Sequence, residues 1–318
     1  MTVRDVNEYE DLLAEWADLE SGLGILLAYP DQCREFVARI SQYERWMQSL
    51  MDRDPDVGLY LLFQLAGNST VGYSASHALI CAVVCHLLRP ELMLNPWDGD
   101  SLVRAALTMN IAMTRMQDQL AVQRERPSPE QQAMIQQHPA RGIEMLRTLG
   151  VNDTMWLAII ASHHDNMVDE GAYDEVPVAQ QMGRILKRVD RYIAMISPRL
   201  SRAGRSATDS ARAIMANASA QQDPVGHAVV RSLGLCPPGT FVRMDNDELG
   251  LVVKRSTIAS HPYIAVVGDA SGELLSEPRL HDPARGGAQI QAALPATGVR
   301  AVLNHARVLQ LGSRIMID

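Results

Sequence analysis

Five side chains of metal-binding type stand out in this chain: His77, His138, His163, His164 and Asp190. A neutral imidazole offers a nitrogen lone pair suited to zinc or iron, and a carboxylate adds an oxygen ligand and a negative charge. Taken singly, each is a modest signal. His77 lies in "YSASHALICAVVCHLL" and shares a helical face with Cys81, Val84 and Leu88, so alone it reads as a core histidine. His138 precedes Pro139 on a helix opened by "SPE", where Ser128 can cap and Glu130 can stabilise the first turn. His163 and His164 close the apolar stretch "MWLAIIAS" and run into a polar loop, which lets two imidazoles reach one cavity. Asp190 interrupts an apolar helical pattern between "RILKRV" and "YIAM"; its simpler reading is a buried ion pair with Arg184 or Lys187. The ordered set carries more weight than any member. Between its members, residues 105–120, "AALTMNIAMTRMQDQL", read as a buried helix offering only Met109 and Asn110.

The elements that must position these groups are mostly helical. Residues 1–70 give amphipathic helices in "EYEDLLAEWADLESGLGILLAY" and, after a Pro30-Asp31 break, "CREFVARISQYERWMQSLM". Helical periodicity continues over residues 71–235, interrupted by "RPELMLNPWDGD", "RERPSPE" and "DEGAYDEVP". Residues 236–318 form a small extension. Its β-prone runs "GTFVRMDNDELGLVVKRS" and "PYIAVVGDASGELL" predict hairpins, and "GVRAVLNHARVLQLG" returns to helix. No internal repeat is present. With 318 residues, 47% of them hydrophobic, the chain is long enough for one large domain or two modest ones. A net charge of -8 argues against a nucleic-acid or anionic-membrane binder. No run has the length of a membrane span, no signal-peptide pattern opens the chain, and four scattered cysteines fit a reducing compartment; a cytoplasmic protein is expected.

Residues 71 to about 255 resemble the HD-GYP domain, a bacterial module that hydrolyses cyclic di-GMP. The family's Tyr-Thr/Ser-x-x-His start is matched by Tyr73, Ser74 and His77. Its Pro-Glu-Glu…His-Pro…Gly…Leu helix is matched by Pro129, Glu130, Ile135, His138, Pro139, Gly142 and Leu146. Its His-His-Glu and Gly-Tyr-Pro are echoed by His163, His164 and Asp165, then Gly171, Ala172 and Tyr173, and its later aspartate by Asp190. An arginine-rich segment is echoed by Ser197, Arg199 and Arg202, and a glycine-containing tail by Pro238, Gly239, Thr240, Val242, Glu248, Gly250 and Val252. The resemblance implies a mainly α fold: an HD-GYP-like helical bundle with N-terminal helices and a small C-terminal β-hairpin appendix.

Against the family's Leu-Leu-His-Asp-Ile-Gly-Lys, this chain has Leu107, Thr108, Met109, Asn110, Ile111, Ala112 and Met113. The resemblance therefore implies loss of the signature histidine, of the aspartate that bridges two metals, and of a lysine near the phosphate. A neutral Asn cannot supply the bridging charge, and a thioether is a poor ligand for hard divalent ions. One metal position would keep His77 and Asp190; the other would keep His138, His163 and His164, enough for one zinc, iron or manganese ion, or for none. The expected function is a catalytically degenerate signalling protein or protein-interaction scaffold. Cyclic di-GMP is its expected ligand, contacted by Arg199 and Arg202, whose simpler reading is a solvated basic turn. Signalling proteins or a second copy of the chain are its expected partners. One alternative is an active phosphodiesterase with a rearranged metal site that recruits Asp165 or Asp118, the latter more simply a surface residue. Another is a binding module whose cavity is closed by Met109 and Met113.

Overall fold

The computed structural model describes residues 5–68, 72–165, 171–216, 224–295, 299, 302–313 and 315. Local signals start most helices. α1 (Val6–Ala28) is capped by Asp5, whose carboxylate accepts from Glu8 N, and α5 (Pro96–Thr108) by Asn95, with Pro96 in its first turn. α7 (Pro129–Thr148) opens on a reciprocal capping box between Ser128 and Gln131, and α8 (Thr154–Ser162) on Asp153, which accepts from Trp156 N. α2 (Phe36–Arg53) and α3 (Pro55–Asn68) complete the N-terminal helices.

α4 (Tyr73–Glu91) is the axis of the helical part. It is buried continuously from Ser74 to Cys85, and α1, α2, α3, α5, α6 (Thr114–Val122), α9 (Val178–Ile196) and α11 (Val225–Leu233) all pack on it. A helix apolar on every side can only be a core helix or a membrane span, and here neighbouring helices cover it. α10 (Ala207–Met215) packs between α9 and α11. None of the described helices is long and apolar enough to cross a membrane.

The hairpins expected near the C-terminus form part of one antiparallel sheet. β1 (Phe241–Met244), β2 (Leu249–Lys254), β3 (Tyr263–Gly268), β4 (Leu274–His281) and β5 (Ile290–Ala293) align in the order β4-β3-β2-β1-β5. Strand alternation divides the burial. Phe241, Leu251, Val253, Ala265 and Val267 join the main core, whereas Val242, Met244, Val252 and Ile264 form a second small core with Cys236. α12 (His305–Ser313) follows and packs on α1. Residues 298, 300 and 301 of the expected last helix, and Asp169 and Glu170 of the expected loop before α9, lie outside the described residues.

The sequence reading fails at residues 105–120, which are not one helix. α5 stops at Thr108, a turn holds Met109 and Asn110, a 3-10 turn spans Ile111–Met113, and α6 restarts at Thr114. Threonine hydroxyls flank the break. Thr108 Oγ1 donates to Arg104 O at 2.7 Å and accepts from Trp156 Nε1 at 2.8 Å, and Thr114 Oγ1 lies 3.3 Å from Ile111 O. Such side-chain bonds compete with the helical ladder, and the apolar period alone does not reveal them.

Candidate functional site

The capping box fixes the start of α7, and three turns later the helix presents His138, fully buried. Its Nδ1 lies 2.6 Å from the Ile135 carbonyl. His163, at the end of α8, repeats the arrangement with Nδ1 2.7 Å from the Ile160 carbonyl. A carbonyl can only accept, so both Nδ1 atoms carry the proton and both Nε2 atoms keep a lone pair. Those two Nε2 atoms face each other at 3.3 Å. Two lone pairs so placed cannot bond to each other; they need a cation or a bridging donor. The exposed ring of His164 completes the corner, its centroid 4.1 Å from that of His163 and 5.1 Å from that of His138, and the three ligand atoms lie within 4.8 Å of one another. Burial pushes His138 down to about 4 and His163 down to about 3, so both rings are neutral at neutral pH, as ligation requires. A metal-bound histidine normally donates its other N–H to a carbonyl or carboxylate, and both buried rings already do. The donor set fits a transition metal.

The His77 corner differs. Asp190 pairs with His77, Oδ1 to Nε2 at 2.8 Å, instead of with Arg184 or Lys187; the Lys187 ammonium donates to the Asp165 carbonyl. Burial acts to raise the Asp190 carboxyl, but the hydrogen bond from His77 holds it below the usual range. An ionised Asp190 accepts, so His77 Nε2 carries the proton. Its Nδ1 is buried and has no hydrogen-bond partner among the described residues. Metal ligation through Nε2 would move the proton to Nδ1 and strand a buried N–H, at about 1–3 kcal/mol. Cys81, one helical turn on, places its sulfur 3.7 Å from Nε2 and could serve as a third ligand to an ion there. Burial and the Asp190 charge raise its thiol well above the ordinary value, which keeps it protonated. His77 and Asp190 thus form a closed hydrogen-bonded pair, and the three-histidine corner is the better receptor.

The flanking groups are arranged around these corners. The Tyr73 ring stacks on His77 at 5.5 Å, and the Arg199 guanidinium lies over the Tyr73 ring at 4.8 Å while donating to its hydroxyl at 3.2 Å. Arg199 Nε is buried with no hydrogen-bond partner among the described residues. Arg202 pairs backbone to backbone with Arg199 and its side chain donates to the Ala194 carbonyl; burial and the neighbouring Arg199 charge lower its guanidinium from the ordinary value. Met109 is fully buried and part of the main hydrophobic core, Asn110 is 9% exposed, and Met113 is only partly buried. α7 lies against this turn. A Cβ on Gly142 would meet Ile111 at 3.7 Å and Met109 O at 3.9 Å.

Two roles were not read from the sequence. Asp118, expected at the surface, accepts from Ser74 N at 2.7 Å and so caps the N-terminus of α4, which carries His77. A helix end capped by a residue 44 positions away leaves no local spacing to detect. Cys81 was seen only as a stripe residue, although its i,i+4 spacing from His77 was the available signal.

Residues 64–225 match the HD domain. The chain is also 26% identical over 194 residues to a cyclic di-GMP phosphodiesterase of Pseudomonas aeruginosa, an overlap covering 58% of this chain and 45% of that relative. The chain thus spans less than half the length of the curated relative it matches. No solved structure matches it. The matched span is about half of the chain and includes every helix that carries the five ligand-type side chains, and on that ground the chain belongs to the HD domain family.

Proposed function

We propose that this chain is a catalytically degenerate HD-GYP-like module that binds cyclic di-GMP without hydrolysing it and acts as a signalling regulator or scaffold. The observation that carries the reading is the unequal state of the site. The His138, His163 and His164 corner keeps two lone pairs facing at 3.3 Å, whereas Met109 belongs to the hydrophobic core and Asn110 is neutral. His138, His163 and His164 would hold one zinc, iron or manganese ion. Such an ion, when bound, supplies a Lewis acid for a phosphate oxygen. Without an aspartate at position 110 the site lacks the carboxylate that would bridge a second ion. Arg199, held over Tyr73 with Nε unpaired, is positioned to donate to a phosphate by a charge-assisted bond that needs no metal. The similarity to a cyclic di-GMP phosphodiesterase supports the ligand class. We divide the chain into a helical region over residues 1–70, the module over 71–235 and the sheet-bearing extension over 236–318.

A second reading is an active phosphodiesterase with a rearranged site, and Cys81 beside His77 and Asp190 is the observation in its favour. One experiment separates them: elemental analysis and a cyclic di-GMP hydrolysis assay on the same anaerobically purified sample, with calorimetric titration of the nucleotide. Binding without turnover, weakened by Arg199→Ala, is the expected result. Metal-dependent release of linear product, abolished by His163→Ala, would establish the second reading, and no binding at all would leave a purely protein-binding module.

A further inference from the structure

A cavity of about 680 Å³ opens between the end of α11, the end of β2 and the loop leading into β3, well apart in sequence from the histidine corner. Its volume lies in the range of small-molecule sites. In a chain where acidic residues outnumber Lys and Arg 37 to 29, this wall carries Arg231, Lys254, Arg255 and Arg285 against the single carboxylate of Asp56. A neighbouring cavity that shares Asp56 and Lys254 has the opposite balance, with Glu8, Asp11 and Asp54 against Arg53 on its wall. The two cavities are sorted by sign.

The four cations are not equally free. Arg255 is engaged: Nε donates to Asp56 at 2.6 Å and Nη1 to the Ser232 carbonyl at 2.6 Å, which offsets the carboxylate beside the carbonyl end of α11. Among the described residues Arg231 pairs with Glu91 at 2.9 Å and Arg285 with Asp282 at 3.2 Å; both arginine side chains are mostly solvent-exposed, so these pairs cost little to exchange. The Lys254 ammonium makes no hydrogen bond or ion pair among the described residues. Ser232, also on the wall, has a buried hydroxyl without a hydrogen-bond partner among the described residues. Leu233, Pro262 and Tyr263 supply an apolar side.

From these features we infer a second ligand site, for a small phosphate-bearing anion, held by Lys254, Arg231 and Arg285. Phosphate oxygens accept charge-assisted hydrogen bonds from several cations at once, and an apolar wall accommodates the body of the molecule. A ligand bound there bridges α11 to the C-terminal sheet. The inference does not depend on the metal corner or on cyclic di-GMP.

The test is calorimetric titration of the full chain with pyrophosphate and with AMP, at low salt and in the presence of a chelator. Saturable binding of at least one probe is expected, about tenfold weaker in the double variant Lys254→Gln, Arg285→Gln and weakened by added salt. Both substitutions are at partly exposed or exposed positions, and circular dichroism checks that the variant folds. Arg199→Ala serves as the control and should leave this binding unchanged. Absence of saturation with both probes at millimolar concentration overturns the inference. So does binding that survives the double variant but is lost in Arg199→Ala, which would assign the anion to the site beside Tyr73.

Discussion

The imidazoles of His138 and His163 differ from that of His77 in one respect that decides their chemistry: the partner of the second ring nitrogen. With Nδ1 held by a carbonyl, the two buried rings are fixed in the tautomer that ligates through Nε2, and His77 is fixed in the other by Asp190. His138→Ala should therefore lower metal occupancy, read by elemental analysis, more than Asp190→Asn does. An ion retained in His138→Ala but lost in Asp190→Asn would reverse the assignment. Both buried rings also make the metal-free fold acid-sensitive. Their folded values, about 4 and about 3, lie below the ordinary 6.5, so below pH 6.5 the unfolded chain binds protons that the folded chain does not. Stability is then at its full value above pH 6.5 and falls steadily from there toward pH 4. Asp190, depressed by His77, adds a loss of the same sign at still lower pH. Urea midpoints measured with chelator between pH 7.5 and 4.5 should fall over the lower part of this range, and a flat profile would show that burial does not hold these rings neutral.

At the scale of elements, the site is a meeting of helix ends. α7 enters through its capping box, α8 stops at His163, and α4 begins under a carboxylate lent by α6. The Asp118 cap sits beside Gly72, whose φ of 137° no other residue adopts readily and whose added Cβ would approach the Asp118 carboxylate to 3.2 Å. Asp118→Ala should cost about 1–2 kcal/mol in urea unfolding and loosen the first turn of α4, where Tyr73 sits against His77. Hydrogen exchange of the amides over residues 73–77 reads the local effect. Unchanged protection there would mean that packing, not the cap, holds the turn.

For the whole molecule, the small C-terminal sheet shares the main core with the helices. Gln64 donates to the Gly239 carbonyl at 2.6 Å, Gly239 N donates to Val252 O at 2.8 Å, and Tyr60 shares a 2.8 Å hydrogen bond with His305 of α12. Gly239 is a tight point of this junction. Its φ is 88°, and an added Cβ would lie 2.4 Å from the Tyr60 carbonyl oxygen. Gly239→Ala should cost about 1–2 kcal/mol for the conformation alone, and more for the clash. Because the sheet face and the helices share one core, calorimetry should show a single transition shifted to lower temperature. Two separate transitions, with only one shifted, would show that the sheet folds independently.

Much of this was legible in order along the chain. The apolar period gave the helices, Ser128 marked where one of them starts, and the β-prone runs after Gly234 announced the sheet. The types and sequence of the histidines pointed to a metal corner because ligand chemistry is a property of the side chain itself. The rest required three dimensions. Whether His77 ligates or pairs depends on Asp190, 113 residues away, and whether Asp118 is a surface group or a cap depends on where α6 lies against α4. The break at Met109 and Asn110 is flanked by threonine hydroxyls and a tryptophan from α8, and the sorting of charge arises only because Asp56 and Lys254, 198 positions apart, stand between two cavities. Periodicity and residue type are local, whereas the partner of a buried polar group is chosen by packing, which brings together segments the sequence keeps far apart.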